Sequence, residues 1–271
     1  MTSGWAGIFF ALLFNSAVAQ QLLPPDSVFE PGERIDYRIA YHWGFVWVDA
    51  GEVSFTVDSI QYNQQPAYLL TGKGKTLAKW DWFYKVRDLY QSTTTMGDTM
   101  APLEFIRKVE EGKTFIDYEY HFNHEEQLAY SKRTFKDGSL KRDTLKCTLD
   151  VSDVLSMIYV ARRIDFSQFK DGDKIPIRVL LDNEVNDSYI RFLGEEEIEV
   201  DEMGLIRCFK FRPLLIEGTI FKGGEDMLVY VSADQNRVPV MIETPILVGS
   251  IKAIVAKTEG TRSPLKFTPE D

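Results

Sequence analysis

The 271-residue chain has few of the residues on which protein chemistry usually depends. It contains 3 His and 2 Cys, too few for a zinc finger or a disulfide-dense small domain. It has no long basic run, and 41 acidic against 31 basic side chains give a net charge of −10. That balance argues against nucleic-acid binding.

Motifs of the common enzyme classes are also absent from the sequence. No Gly-x-Ser-x-Gly elbow occurs, and the two Gly-Lys-Thr tripeptides lack the earlier glycine of a phosphate-binding loop. His121 and His124 lie three apart on a strand pattern, where such residues point to opposite faces, so we predict no metal site. His42 has no acidic partner at close same-face spacing, which a general base needs. We therefore expect no catalytic residue, no metal and no cofactor.

The first residues are typical of an export signal. An apolar run over 5–14 is too short to span a bilayer as a helix. Small residues at Ala17 and Ala19 mark a cleavage site, which predicts a mature chain that begins at Gln20. No Lys or Arg precedes the apolar run, and a buried N-terminal helix is the alternative.

No later apolar stretch is long enough for a membrane helix. The sequence thus predicts a periplasmic or otherwise exported protein, soluble and not membrane-spanning once the signal is removed. We expect a signal peptide over 1–19, an N-terminal extension over 20–28, a single β-rich domain over 29–260 and a C-terminal tail over 261–271.

The two cysteines have two interpretations. In an oxidising compartment Cys147 and Cys208 could form one intramolecular disulfide. The alternative is two small, half-buried thiols on separate strands. Nothing in the spacing shows that the two Cα atoms lie close enough to bridge.

Most of the chain follows the alternation of β-strands. From Ile35 to Trp43, apolar residues share one parity and Asp36, Arg38 and His42 the other. Similar alternation recurs over 53–58, 116–123 and 197–201, and turn residues separate the runs. One polar face per strand is typical of an antiparallel sheet. We predict a mainly β fold, a single antiparallel open barrel or strongly curved sheet of about twelve strands.

One helix is predicted from about Ser152 to Arg163. Its apolar residues recur at helical spacing and form one stripe. The stripe consists of Val154, Met157, Ile158 and Ala161. Asp150 or Ser152 can cap the start, and we expect the stripe to pack on the sheet.

Five aromatic residues are candidates for lining a ligand pocket. Trp43 and Trp47 share a parity, as do Trp80 and Trp82, and Tyr84 continues the second set. If both segments are strands facing one interior, the rings form an aromatic wall for an apolar or sugar-like ligand. The alternative is that these rings fill the core of a large β-domain.

Several motifs resemble an exported bacterial family catalogued as domain of unknown function 3108. They occur in order over 29–37, 41–52, 86–92, 153–159, 214–221, 234–240 and 249–251. The resemblance covers about Phe29 to Lys257 and implies no catalytic residues. The Arg237–Val240 step after an Asp-rich turn also resembles the periplasmic Lol-type lipoprotein carriers. That second likeness implies an open barrel with a helical lid that shelters acyl chains.

Together these features favour a non-enzymatic envelope protein that binds or carries an apolar ligand, such as a lipid or acyl chain. A structural or protein-interaction β-domain with a filled core is the alternative, and an envelope hydrolase is the second alternative. An aromatic-lined interior cavity would favour the carrier, whereas a filled interior with an exposed apolar edge would favour an interaction protein. A cleft with clustered, pKa-shifted carboxylates would favour the hydrolase.

Overall fold

The computed structural model describes residues 22–43, 46–200, 203–216, 223–246 and 249–268. The predicted signal peptide, with its cleavage site between Ala19 and Gln20, lies outside these ranges. The described chain is mainly β with one α-helix, which confirms the predicted fold class. The strands number 15 rather than about twelve.

The strands and helices have the following bounds. The strands are β1 (Arg34–Trp43), β2 (Val46–Tyr62), β3 (Gln65–Thr76), β4 (Val86–Thr95), β5 (Pro102–Glu111), β6 (Thr114–Asn123), β7 (Leu128–Thr134), β8 (Leu140–Lys146), β9 (Val151–Asp153), β10 (Lys174–Leu181), β11 (Glu184–Val200), β12 (Gly204–Pro213), β13 (Leu228–Ser232), β14 (Pro239–Pro245) and β15 (Ser250–Glu259). The helix α1 is Val154–Arg162, and short 3₁₀ helices cover Pro25–Ser27, Ala78–Trp80 and Phe166–Gln168.

All the described strands belong to one sheet, in the order β8-β7-β6-β5-β4-β3-β2-β1-β15-β14-β13-β12-β11-β10-β9. Neighbours along the chain pair antiparallel as hairpins, and β1 pairs with β15 to join the two halves. The exception is β9, which runs parallel to β10. Because β8 and β9 are the two ends of this order, the described strands form an open curved sheet.

The sheet curves so that its second half contacts its first. The turn between β10 and β11 lies against β5, β6 and β8. Arg107 pairs with Asp182 at 2.8 Å, and Asn183 donates its backbone N–H to the Tyr120 hydroxyl at 3.3 Å. The Asn183 side chain also donates to Asp143 at 2.9 Å. These contacts hold the far part of the second half against the inner face of the first.

The helix α1 lies inside this curve and is fixed at its first turn. Asp153 is its cap, and one carboxylate oxygen accepts hydrogen bonds from the N–H groups of Leu155 at 2.8 Å and Ser156 at 2.9 Å. The other oxygen accepts from the hydroxyl of Ser92 on β4 at 2.6 Å. The cap therefore also joins the helix to the sheet.

The prediction of which face of α1 is buried is wrong. The predicted stripe is half-buried, and its member Ile158 is 38% exposed. The buried residues of the helix are Leu155, Ser156, Tyr159 and Arg162. Apolarity is a poor guide here because two of these four buried residues are polar: Ser156 donates to the Asp153 carboxylate, and Arg162 forms an ion pair with Glu33.

Three apolar clusters fill the inner side of the sheet. The first joins α1 to β2–β6, and the second lies where β1 and β15 meet β12–β14. In the third, the Phe166 ring stacks on Phe192, Phe209 and Phe211 at centroid distances of 5.2, 5.1 and 5.6 Å. Aromatic packing of this density belongs to a core.

Both cysteines are free and buried. Cys147 lies in the first cluster and Cys208 in the second, so the predicted disulfide is not formed. The alternative of two separate thiols matches the structure in that they are unpaired, but both are buried rather than half-buried, and Cys147 follows β8 instead of lying on a strand. Burial raises the pKa of Cys147 to about 11 and that of Cys208 to about 12, which makes both thiols unreactive.

The segments on either side of the predicted domain pack on it. Val28 is fully buried, and Leu22 forms a β-bridge with Ile164. At the other end, Thr268 forms a β-bridge with Leu205. The predicted division at residues 28 and 260 stays a prediction.

Candidate functional site: the aromatic end of the sheet

The structure places the predicted pocket residues differently from the sequence interpretation. Trp43 ends β1, and its side chain lies outside the described part of the structure. Trp47 is the second residue of β2. Trp80 and Trp82 are not on a strand, because residues 77–85 form a loop between β3 and β4. The predicted strand pairing of Trp80 with Trp82 is therefore wrong.

The loop folds back because its backbone hydrogen bonds are local. The N–H of Trp80 donates to the Leu77 carbonyl at 2.8 Å, and the Trp80 carbonyl accepts from the N–H groups of Phe83 at 2.9 Å and Tyr84 at 3.1 Å. A short turn rich in aromatic residues matches the composition and period of a strand, so alternation alone does not separate the two.

Two hydrogen bonds fix this loop against β2. The first residues of β2 extend beyond the end of β3, since the β2–β3 pairing begins at Gly51 with Thr76. The N–H of Leu77 donates to the Ala50 carbonyl at 2.9 Å, and the indole Nε1 of Trp80 donates to the Asp49 carbonyl at 2.7 Å. The loop and the start of β2 therefore form one surface at one end of the sheet.

We call this surface the aromatic end, defined by Trp47, Trp80, Trp82, Phe83 and Tyr84. Trp82 is 80% exposed, Phe83 60%, Tyr84 45% and Trp47 40%. The Trp82 and Phe83 rings contact edge to face with centroids 5.9 Å apart. Large apolar groups gathered on adjacent segments in this way mark interaction surfaces.

The one acidic side chain of the loop is paired. Asp81 binds the Arg87 guanidinium at 2.6 Å and accepts from the Thr76 hydroxyl at 2.6 Å. These hydrogen bonds lower the pKa of Asp81, the one from Arg87 most. The pairing orders the loop and offsets its negative charge.

Two lysines lie close to rings of this surface. Lys79 lies 5.6 Å from the Trp80 ring centre and Lys252 lies 4.8 Å from that of Trp47. Lys252 also pairs with Glu243 at 3.1 Å. Lys79 and Lys85 are exposed, and neither forms an ion pair within the described part of the chain.

The sequence interpretation missed Phe83, although it is the second most exposed ring of this surface. Parity excluded it, because Phe83 alternates with Trp82 and Tyr84. The missing signal was the run of three consecutive aromatic residues at 82–84, which places Phe83 on the otherwise charged parity of Lys79, Asp81 and Lys85.

A separate trough of about 980 Å³ lies across β15 and β1–β5, mainly on the face opposite the core. Its side chains are mostly charged and include Arg38, Glu52, Lys73, Lys75, Arg87 and Lys108. Several pair with one another or with neighbours, as Lys75 does with Glu52 at 3.1 Å. None of the four predicted pocket residues with described side chains, Trp47, Trp80, Trp82 and Tyr84, lines it. Twelve of its twenty lining residues are charged, whereas a pocket for an acyl chain is lined mainly by apolar side chains.

One carboxyl that lines the trough, that of Asp88, has a shifted pKa. Burial, together with the charge and hydrogen bond of Glu111 on the next strand, raises the pKa of Asp88 to about 7. Asp88 Oδ1 is buried and has no hydrogen-bond partner within the described ranges.

The described residues contain no group of three or more His, Cys, Asp and Glu side chains placed to hold a metal ion. They also contain no helix that is both long and apolar enough to cross a membrane.

The fold and site define a mainly antiparallel β-protein with one curved sheet, three buried apolar clusters and an exposed aromatic end. The chain belongs to the family described as "Protein of unknown function (DUF3108)", whose model matches residues 36–256. This confirms the family that the sequence motifs indicate.

A solved structure shares the fold. It is the crystal structure of a beta-barrel-like protein of the domain of unknown function DUF1849 from Brucella abortus. That chain is similar with a TM-score of 0.57 and 10% identity, over 86% of this chain and 98% of that one. At this identity the likeness shows the fold alone. A comparison with curated proteins finds no match.

Proposed function

We propose that this protein is a non-enzymatic binding protein of the cell envelope that attaches to an apolar partner through its aromatic end. The proposal keeps the class of ligand expected from the sequence, an apolar one. It changes where the ligand binds, from an interior pocket to an exposed end of the sheet.

The observation that carries the proposal is the exposure of four rings on two segments that hydrogen-bond to each other. Exposed apolar surface is costly in water, so a folded protein retains a patch of this kind where a partner covers it. The rings are also held in place, because the loop is fixed to β2 and to Arg87. A fixed surface loses little entropy on binding.

The inner side of the sheet also favours an exposed binding surface over an interior pocket. The core clusters and α1 occupy the inner side of the sheet, and the trough of about 980 Å³ is charged. A carrier that encloses an acyl chain needs an apolar cavity instead. The likeness to Lol-type carriers, and export through cleavage after Ala19, stay predictions.

The test is retention on a phenyl-substituted resin in a falling salt gradient. Replacing Trp82 and Phe83 together by Ala removes the most exposed rings, so this variant should elute clearly earlier than the wild type. Leu149→Ala is the matched control, because Leu149 is 55% exposed but lies outside the aromatic end. Equal retention of the wild type and the double variant would contradict the proposal.

A further inference from the structure

We infer that the apolar partner is the interfacial zone of a bilayer that contains anionic lipid, on which the protein lies with its aromatic end inserted. This inference rests on the proposed function and names the partner of the same surface. It is carried by the type of rings, by the lysines among them and by the position of the surface at the ends of strands.

The ring types fit a membrane interface better than a protein groove. Trp and Tyr concentrate where a bilayer meets water, since each has an apolar ring and a polar atom. Here Trp82 and Tyr84 flank Phe83, the ring without a polar atom. Because Trp82 and Phe83 are the most exposed, they are placed to enter the bilayer furthest.

The lysines supply charge complementarity. The whole chain carries −10, which alone would repel an anionic surface. Within residues 77–85, however, Lys79 and Lys85 are exposed cations, and the single acid Asp81 is paired with Arg87. Cations beside interfacial rings bind lipid phosphates, and each contributes near the surface of an anionic leaflet.

The acids that border the surface set a limit on this attraction. Glu111 and Asp88 lie on the Tyr84 side and raise the pKa of the Tyr84 hydroxyl, after burial, which is the largest cause. Lys85 lies next to Glu111, because its carbonyl accepts a hydrogen bond from the Gly112 N–H at 2.9 Å, so these acids offset part of its charge. The inferred contact is therefore small and reversible, formed by a few side chains and weakened by salt.

The geometry also gives an orientation. Residues 77–85 connect the end of β3 to the start of β4, and Trp47 lies near the start of β2. All three positions are at the same end of the sheet. A protein that rests on this end has its strands rising from the bilayer, and its opposite end, with Thr268 and Leu205, faces away.

The experiment is co-sedimentation of the full mature chain with vesicles. Phosphatidylcholine–phosphatidylglycerol vesicles are compared with pure phosphatidylcholine vesicles at low and high salt. We expect stronger binding to the anionic vesicles, reduced by salt. Trp82→Ala with Phe83→Ala should weaken it at least about tenfold. Lys85→Gln should weaken it about fivefold on anionic vesicles only.

Two matched control variants test whether vesicle binding depends on where the replaced side chains lie or only on their type. Leu149→Ala removes an exposed apolar side chain elsewhere, and Lys266→Gln removes an exposed lysine at the opposite end of the sheet. Both should bind vesicles as the wild type does. An unchanged melting temperature checks that each variant is folded, which we expect because every replaced side chain is exposed.

The outcomes distinguish the inference from the proposed function. If no vesicle binds but retention on phenyl resin still depends on Trp82 and Phe83, the bilayer is the wrong partner and the aromatic end binds a protein surface. If vesicles bind equally well without these rings, the inferred contact is wrong. If neither assay depends on the rings, both the inference and the proposed function fail.

Discussion

Arg162 and Glu33 form a fully buried, two-pronged ion pair between the helix and the start of the sheet. Arg162 donates to both carboxylate oxygens, at 2.6 and 2.7 Å, and the two residues are only 2% and 1% exposed. Arg162 also donates to the carbonyls of Asn236 at 2.8 Å and Arg237 at 3.1 Å. One side chain thereby links the first strands, α1 and the turn before β14.

Removing one partner of this pair should destabilise the protein strongly. Arg162→Met leaves the Glu33 carboxylate buried without a counter-charge, which costs about 3–5 kcal/mol of unfolding free energy. Denaturant titration measures the loss. Arg178→Met is the control, because Arg178 is only partly buried, with its side chain 39% exposed. It pairs with the exposed Asp150 and Asp187, and its loss should cost under about 1 kcal/mol. Similar losses for the two variants would mean that the pair is not buried.

The facing of α1 makes a second prediction. Leu155 is 2% exposed, so Leu155→Ala should cost about 2–5 kcal/mol as core truncations do. Ile158 is 38% exposed, and Ile158→Ala should cost under about 1 kcal/mol. Both changes shorten an aliphatic side chain on the same helix, so they control for helix propensity. A larger loss for Ile158→Ala in thermal or urea unfolding would reverse the assigned face.

Asp88 makes the stability depend on pH. The unfolded chain loses this proton near its ordinary pKa of 3.8, whereas the folded protein keeps it until a pH of about 7. The folded state therefore binds the extra proton between these values, and the contribution of Asp88 to stability falls as the pH rises through this window. Urea unfolding from pH 5 to pH 8 measures it.

Asp88→Asn is the matched variant for this pH dependence, because it has no carboxyl to ionise. We expect it to exceed the wild type in stability most at pH 8 and least at pH 5, a difference that shrinks as Asp88 regains its proton. Parallel curves for the two proteins across this range would show that Asp88 titrates normally.

The thiols supply a fourth prediction. Cys147 is 2% exposed and Cys208 is fully buried, with raised pKa values, so both should react slowly with a thiol reagent in the folded protein and quickly in denaturant. Mass spectrometry of unreduced protein should find two free thiols. A mass consistent with a disulfide would contradict the placement of the cysteines in separate clusters.

The sequence predicts the architecture well where alternation is long. Residues 35–43 and 116–123 read as strands and are strands, because each has one polar and one buried face. The strand β9 is only three residues long and is too short to show alternation. This is one reason why the sequence predicts fewer strands than the structure has. The class of fold therefore follows from local patterns, whereas the strand number does not.

The sequence predicts most of the aromatic residues that form the candidate site, but not that they lie at an exposed end of the sheet. Of the five candidate ligand residues, the side chain of Trp43 lies outside the described part of the structure, and the other four lie at the aromatic end. Their exposure depends on the hydrogen bond from Trp80 to Asp49, a contact 31 residues apart in the chain. The facing of α1 depends in the same way on Arg162 and Glu33, 129 residues apart. Periodicity carries no information about either contact.

The most direct test of the central claim, that the aromatic end is the binding surface, is hydrogen–deuterium exchange with and without neutral detergent micelles. Micelles offer apolar surface without charge, so the test does not depend on the lipid. We expect new protection confined to residues 46–50 and 77–85, with residues 147–150 around the exposed Leu149 unchanged. Protection spread over the sheet, or none at 77–85, would contradict the account.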